Sequence, residues 1–130
     1  MSEVLVDSSA WIDFLRGRTE AVHRVDPLLA DDRAATTAII IAEVTSGART
    51  RASFDELTTR FAALSTLPEP ERAWRRVAEL RFALARQGFH AHLIDLVIAI
   101  TAVDASHRLL TRDSDFAIIA KAVGLELELF

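Results

Sequence analysis

The chain has no cysteine. Disulfides and thiolate metal sites are therefore excluded. It has one lysine, Lys121, among 15 basic residues. Proline and glycine are scarce, at three and four residues, and no internal repeat or low-complexity segment is present. No apolar run reaches the roughly 18–20 residues that span a bilayer. Met1-Ser2-Glu3-Val4 has neither the basic region nor the long apolar stretch of a signal peptide, so a cytoplasmic location away from membranes is expected. With 19 acidic residues the net charge is −4, a poor match to binding nucleic acid by bulk charge.

What remains is rich in apolar residues, at 51% of 130 residues with mean hydropathy +0.22. That suits one folded domain over residues 1–130 with a substantial core. Short strands are predicted at Glu3–Val6, Ala34–Thr36, Ser65–Leu67, Arg108–Thr111 and Glu126–Leu129. Alternation of strands with amphipathic helices implies an α/β fold with a mainly parallel sheet. Leu125, Leu127 and Leu129 alternate with Glu126 and Glu128, as in an edge strand with one wet face. Gly17, Gly47, Gly88 and Gly124 each fall at an expected helix end. Ser53 and Glu56 have capping-box spacing. In a helix over Arg72–Gln87, Ala73, Val77, Leu80 and Leu84 form the apolar face, and Glu71 with Arg75 makes an i,i+4 pair.

Four acids interrupt apolar surroundings. Asp7 ends Val4-Leu5-Val6, Glu43 breaks the run from Ala38 to Val44, and Asp113 follows Leu109-Leu110-Thr111-Arg112. Asp95 lies in Leu93 to Val103, where nine of eleven residues are apolar. Buried carboxylates need partners, and only Arg112 is adjacent to one of the four. Ligands of an open parallel sheet bind beyond the carboxyl ends of its strands. Asp7 and Asp113 stand at such ends, and Asp95 and Glu43 on helices that reach the same rim. Oxygen-only donors suit a hard cation such as Mg²⁺ or Mn²⁺. Taken singly, Asp7 and Asp113 are also good helix caps, Asp95 suits a helix N-terminus, and Glu43 could pair with Arg49.

Val6-Asp7-Ser8-Ser9-Ala10-Trp11-Ile12, Ala42-Glu43-Val44, Ile94-Asp95-Leu96-Val97-Ile98-Ala99 and Leu110-Thr111-Arg112-Asp113-Ser114-Asp115-Phe116 together resemble the four signature segments of a PIN domain. The small size resembles the VapC toxins of toxin–antitoxin pairs. The resemblance implies a three-layer α/β/α sandwich and an Mg²⁺- or Mn²⁺-dependent endoribonuclease that hydrolyses RNA phosphodiesters with water. It makes Asp7, Glu43, Asp95 and Asp113 the metal-binding and catalytic carboxylates. Ser9 and Thr111 become their hydroxyl auxiliaries, and Asp115 a second acid beside Asp113. It also implies a homodimer and a VapB-like antitoxin whose helix fills an apolar groove, with the Trp11–Leu15 and Arg72–Gln87 helices as candidate walls. Beside the cluster, Arg112 is a candidate contact to the RNA phosphate. Arg16, Arg18, Arg49 and Arg51, just past helix ends, are weaker ones. His90 and His92 precede the Asp95 helix, and Trp11 and Trp74 suit a core.

Two other classes fit less well. A phosphoacceptor receiver-like domain would carry an acidic pair after its first strand and a lysine after a late strand, whereas Ser8-Ser9 follow Asp7 and Lys121 falls in a helical segment. A non-catalytic interaction module would not need all four acids.

Overall fold

A computed structural model of the chain describes Ser2–Phe130. The strands are β1 (Val4–Val6), β2 (Ala34–Thr36), β3 (Ser65–Thr66), β4 (Arg108–Thr111) and β5 (Leu127–Leu129). Seven helices lie among the described residues: α1 (Ser8–Leu15), α2 (Thr19–Ala30), α3 (Ala38–Ser46), α4 (Arg51–Ala62), α5 (Ala73–Arg86), α6 (Leu93–Asp104) and α7 (Phe116–Val123). None is long and apolar enough to cross a membrane.

The sheet order is β3-β2-β1-β4-β5, and every pairing is parallel. β1 is central because it is apolar on both faces: Val4, Leu5 and Val6 are fully buried, as are Leu109 and Leu110 beside them. Such continuous apolar strands require helices on both sides. One group of helices is formed by α1 with α2 and α3, and by α3 with α4; α6 packs with α5 and α7 in the other. The architecture is the expected α/β/α sandwich. From β1 the chain goes to β2 on one side, and β4 lies on the other, so a topological switch point falls between β1 and β4. Open sheets place their ligand sites at such a crevice.

Local differences from the sequence reading have identifiable causes. Ser53 is not a cap: Thr50 accepts the Ser53 N–H at 3.1 Å, so α4 begins a turn earlier and Ser53 lies inside it. Glu71 does not pair with Arg75, because Arg72 at the N-cap of α5 has φ 52° and breaks the helical register between them. Arg75 instead bonds Glu79 at 2.9 Å. Gly47 ends α3 at φ −79°, a conformation open to any residue, whereas Gly124 ends α7 at φ 70°, where a side chain is strained. β5 is an edge strand, but its Glu face is not simply wet. Glu128 accepts from Arg24 at 2.7 Å and from Arg108 at 2.9 Å, while Leu129 is 43% exposed.

Candidate functional site

The carboxyl ends of β1 and β4 form the floor of an acidic rim. Asp7 follows β1, and its backbone N–H donates to Leu110 O at 2.9 Å. This bond ties the first acid to the strand that carries the last. Asp7 is only 5% exposed. Its Oδ2 accepts the Ser9 hydroxyl at 2.7 Å and the Thr111 hydroxyl at 2.8 Å. Each hydroxyl in turn accepts a backbone N–H: Ser9 Oγ from Arg112 at 3.1 Å, Thr111 Oγ1 from Asp113 at 3.0 Å. Each hydroxyl has one proton, and both protons are directed at the carboxylate. The network therefore runs from the turn after β4, through two hydroxyls, into Asp7. Both hydroxyls donate to the same oxygen of Asp7, Oδ2.

The other acids join from separate elements. Glu43, on α3, is oriented by Ser8, whose hydroxyl donates to its Oε1 at 2.7 Å. It does not pair with Arg49. Asp113 accepts the Asp115 N–H at 3.0 Å, a local turn that fixes its carboxylate. Asp95, in the first turn of α6, is pushed up to about 6, first by burial and then by the charges of Asp7 and Asp113. Glu43 adds to this rise, and His92 at the helix start opposes it. Carboxylates from β1, α3, α6 and the β4–α7 turn therefore share one electrostatic neighbourhood. Asp113, rather than Asp115, is among the charges that act on Asp95. Asp115 is exposed and begins α7 without a side-chain cap.

Among the described residues, none of the four acids is paired with an arginine, lysine or histidine. Nor do three such side chains already close into a metal-binding cage. An oxygen-only donor set with unbalanced negative charge fits a hard divalent ion. Mg²⁺ in particular keeps several waters and takes one or two carboxylates rather than a full cage.

Arg112 lies at the rim as expected, with its Nη1 3.1 Å from Asp13 Oδ2. Sequence reading missed Asp13 and Ser8. Asp13 resembles the polar position of an amphipathic helix, and only the fold reveals that it is 5% exposed. Ser8 stands next to Asp7, and that adjacency was the available signal. Trp11 is core, edge-on to Phe61 at 5.2 Å. Trp74 is not core: it is 48% exposed and donates to Glu69 at 3.2 Å. Of the other arginines, Arg51 forms an ion pair with Asp55 at 3.2 Å within α4. His90 is exposed, in a hollow lined also by Phe82 and Leu93.

α1 does wall an apolar groove, with Trp11, Phe14, Leu15 and, across it, Leu57 and Phe61 of α4. The opposite wall is α4 with Leu29 of α2, not α5 as the sequence suggested.

Residues 4–122 match the family model described as the PIN domain, and the chain belongs to the PIN-domain family. Among characterised relatives it is 33% identical over 129 residues to Ribonuclease VapC5 of Mycobacterium tuberculosis, covering 95% of this chain and 92% of that protein. The crystal structure of VapBC-5 from Mycobacterium tuberculosis, a member of the VapBC family of toxin–antitoxin systems, contains a chain that superposes with a TM-score of 0.72 at 29% identity, with full coverage of both chains. The fold alone is shared with VapBC-1 of nontypeable Haemophilus influenzae, at a TM-score of 0.77 and 22% identity over 97% of this chain and 96% of that one.

Proposed function

We propose that this chain is a VapC-type toxin, an endoribonuclease that hydrolyses RNA phosphodiesters in the cytoplasm. The observation that carries the reading is the rim itself: four carboxylates from four elements, without a cationic partner among the described residues, at the switch point of a parallel sheet. Asp7, Glu43, Asp95 and Asp113 would hold Mg²⁺ or Mn²⁺. Such an ion, when bound, supplies Lewis-acid activation of water and stabilises charge developing on the phosphate.

The chain's own residues do the positioning. Ser9 and Thr111 fix one oxygen of Asp7 and leave the other free, Ser8 aims Glu43, and the turn at Asp115 aims Asp113. Asp95 has no comparable tether, and its raised proton affinity in the metal-free protein reflects its burial first and then the neighbouring carboxylate charge that an ion would relieve. Preorganised ligands cost nothing to reorganise during the reaction.

A VapB-like antitoxin is the proposed partner. The groove between α1 and α4 offers an apolar seat of the kind an amphipathic helix occupies. A homodimer would cover Phe82, Leu93 and Ile94, which are 62%, 45% and 41% exposed. The direct test is cleavage of RNA by purified protein with Mg²⁺ or Mn²⁺. Activity that persists undiminished in Asp95→Asn would overturn the site assignment.

A further inference from the structure

Asp13 is a buried carboxylate with no role in the acidic rim, yet it faces two arginines. Its Oδ2 is 3.1 Å from Arg112 Nη1, and its Oδ1 is 3.8 Å from Arg18 Nε. The carboxylate side chain is 7% exposed, whereas the Arg112 and Arg18 side chains are 55% and 58% exposed. The base of the clamp is thus inside the protein and both cationic heads are in solvent. Arg18 is brought in locally, by its N–H bond to the Asp13 carbonyl at 3.0 Å. Arg112 comes from the far end of the chain. It is fixed twice, at its backbone by Ser9 Oγ at 3.1 Å and at its guanidinium by Asp13.

We propose that Asp13 is a positioning residue that holds Arg112, with Arg18 behind it, as the phosphate-binding edge of the acidic rim. The inference rests on the ribonuclease reading for its substrate, a single-stranded RNA backbone. Asp13 occupies one nitrogen of Arg112 and leaves the remaining N–H donors of the fork for a phosphate, which guanidinium recognises bidentately. One carboxylate and two guanidiniums sum to a single positive charge. That local charge lies next to four carboxylates, in a chain whose net charge of −4 repels RNA elsewhere. Restraining Arg112 also keeps it from collapsing onto Asp113, its neighbour in sequence, where it would neutralise a metal ligand instead of meeting substrate.

The test is equilibrium binding of a fluorescent random-sequence RNA oligonucleotide, in EDTA and over a series of KCl concentrations, alongside steady-state cleavage with Mn²⁺. Arg112→Ala, Arg112→Lys and Asp13→Asn are each expected to weaken binding about tenfold and to raise KM with little change in kcat. For Arg112→Ala the slope of log affinity against log salt falls by about 0.7, one single-strand phosphate contact. The Asp13→Asn/Arg112→Ala double variant binds no worse than Arg112→Ala, since both changes break the same unit. Binding by Asp13→Asn as tight as wild type, or tighter because two arginines are released, overturns the clamp. So does a fully competent Arg112→Lys, because a point charge would then suffice; this exposed substitution decides the matter if Asp13→Asn does not fold. A wild-type protein that cleaves no RNA but shows this binding pattern refutes the ribonuclease reading and leaves the clamp standing. Absence of RNA binding by the wild type refutes the clamp.

Discussion

Thr111 donates its hydroxyl to Asp7 across 2.8 Å and 104 positions of sequence. Thr111 is fully buried and Asp7 nearly so, so neither can turn to water for a replacement partner. The same hydroxyl accepts the Asp113 N–H at 3.0 Å. One oxygen atom therefore sets the positions of two acids of the rim.

Thr111→Val preserves shape and removes that atom. It leaves a carboxylate oxygen with one hydroxyl fewer and a backbone N–H without its acceptor. The expected cost is about 1–3 kcal/mol in urea-induced unfolding, together with a loss of RNA cleavage larger than the loss of folded protein. A variant as stable and active as wild type would show that Ser9 alone suffices to hold Asp7.

Asp95 gives a pH-dependent prediction. Its carboxyl is pushed up to about 6 from an ordinary 3.8, so the folded protein binds this proton more tightly than the unfolded chain does. Ionising Asp95 costs folding free energy above about pH 6, and the cost fades as pH falls towards 4. Asp95→Asn should therefore stabilise the metal-free protein at pH 7.5 by about 1–2 kcal/mol, a figure discounted for the solvent screening of a partly buried group. At pH 4 the gain should vanish. Thermal melts at the two pH values in EDTA check this, and equal gains at both would refute it.

Metal should reverse the sign of that effect. Mn²⁺ binding to the folded protein raises its melting temperature by mass action, while protons compete for the same carboxylates. The Mn²⁺-induced rise is expected to shrink below about pH 6, the value to which Asp95 is pushed, and to be largely lost in Asp95→Asn. Calorimetric titration with Mn²⁺ at several pH values is the direct measurement. An affinity independent of pH would argue against Asp95 as a ligand.

On edge strand β5, Glu128 links α2 to β4 through Arg24 and Arg108. Burial works to raise its carboxyl, but the hydrogen bonds from Arg24 and Arg108 outweigh it and hold it below the usual 4.5. A depressed acid stabilises the fold at pH values above its unfolded value, and the benefit disappears as pH falls through the folded one. Glu128→Gln should cost about 0.5–1 kcal/mol at neutral pH, in keeping with partly exposed ion pairs, and the cost should shrink as pH falls below the usual 4.5. Acid-titrated chemical denaturation reads this difference.

The four acids were legible because each interrupts an apolar run, and charge in such a run demands an explanation. β2 and β4 were legible to the residue, and β1 nearly so, since short apolar cores (Val4-Leu5-Val6, Ala34-Ala35, Leu109-Leu110) bounded by polar residues leave few alternatives. Asp13 was not legible. At its place in α1 a charged residue looks ordinary, and its pairing with Arg112, which arrives just past β4, is encoded in no local pattern. The cap at Thr50 was missed because Ser53 offers an equally good hydroxyl. The choice between them turned on where α4 starts, a matter of tertiary packing. The groove behind α1 was half legible: its own wall could be read from Trp11 and Leu15, but the partner helix could not.

The junction of β1 with β4 makes the rim a late product of folding. Asp7, Glu43 and Asp95 are all synthesised before β4, yet the hydroxyl of Thr111, the tether of Arg112 and the fourth acid, Asp113, arrive only with that strand. A nascent chain that has not docked β4 onto β1, or a chain cleaved ahead of Arg108, carries three acids without the Thr111 hydroxyl that helps to hold Asp7 and without Asp113. The proposed nuclease would thus be incomplete until the chain from Arg108 onward is in place, which leaves an antitoxin time to meet a partly finished toxin before it can cut.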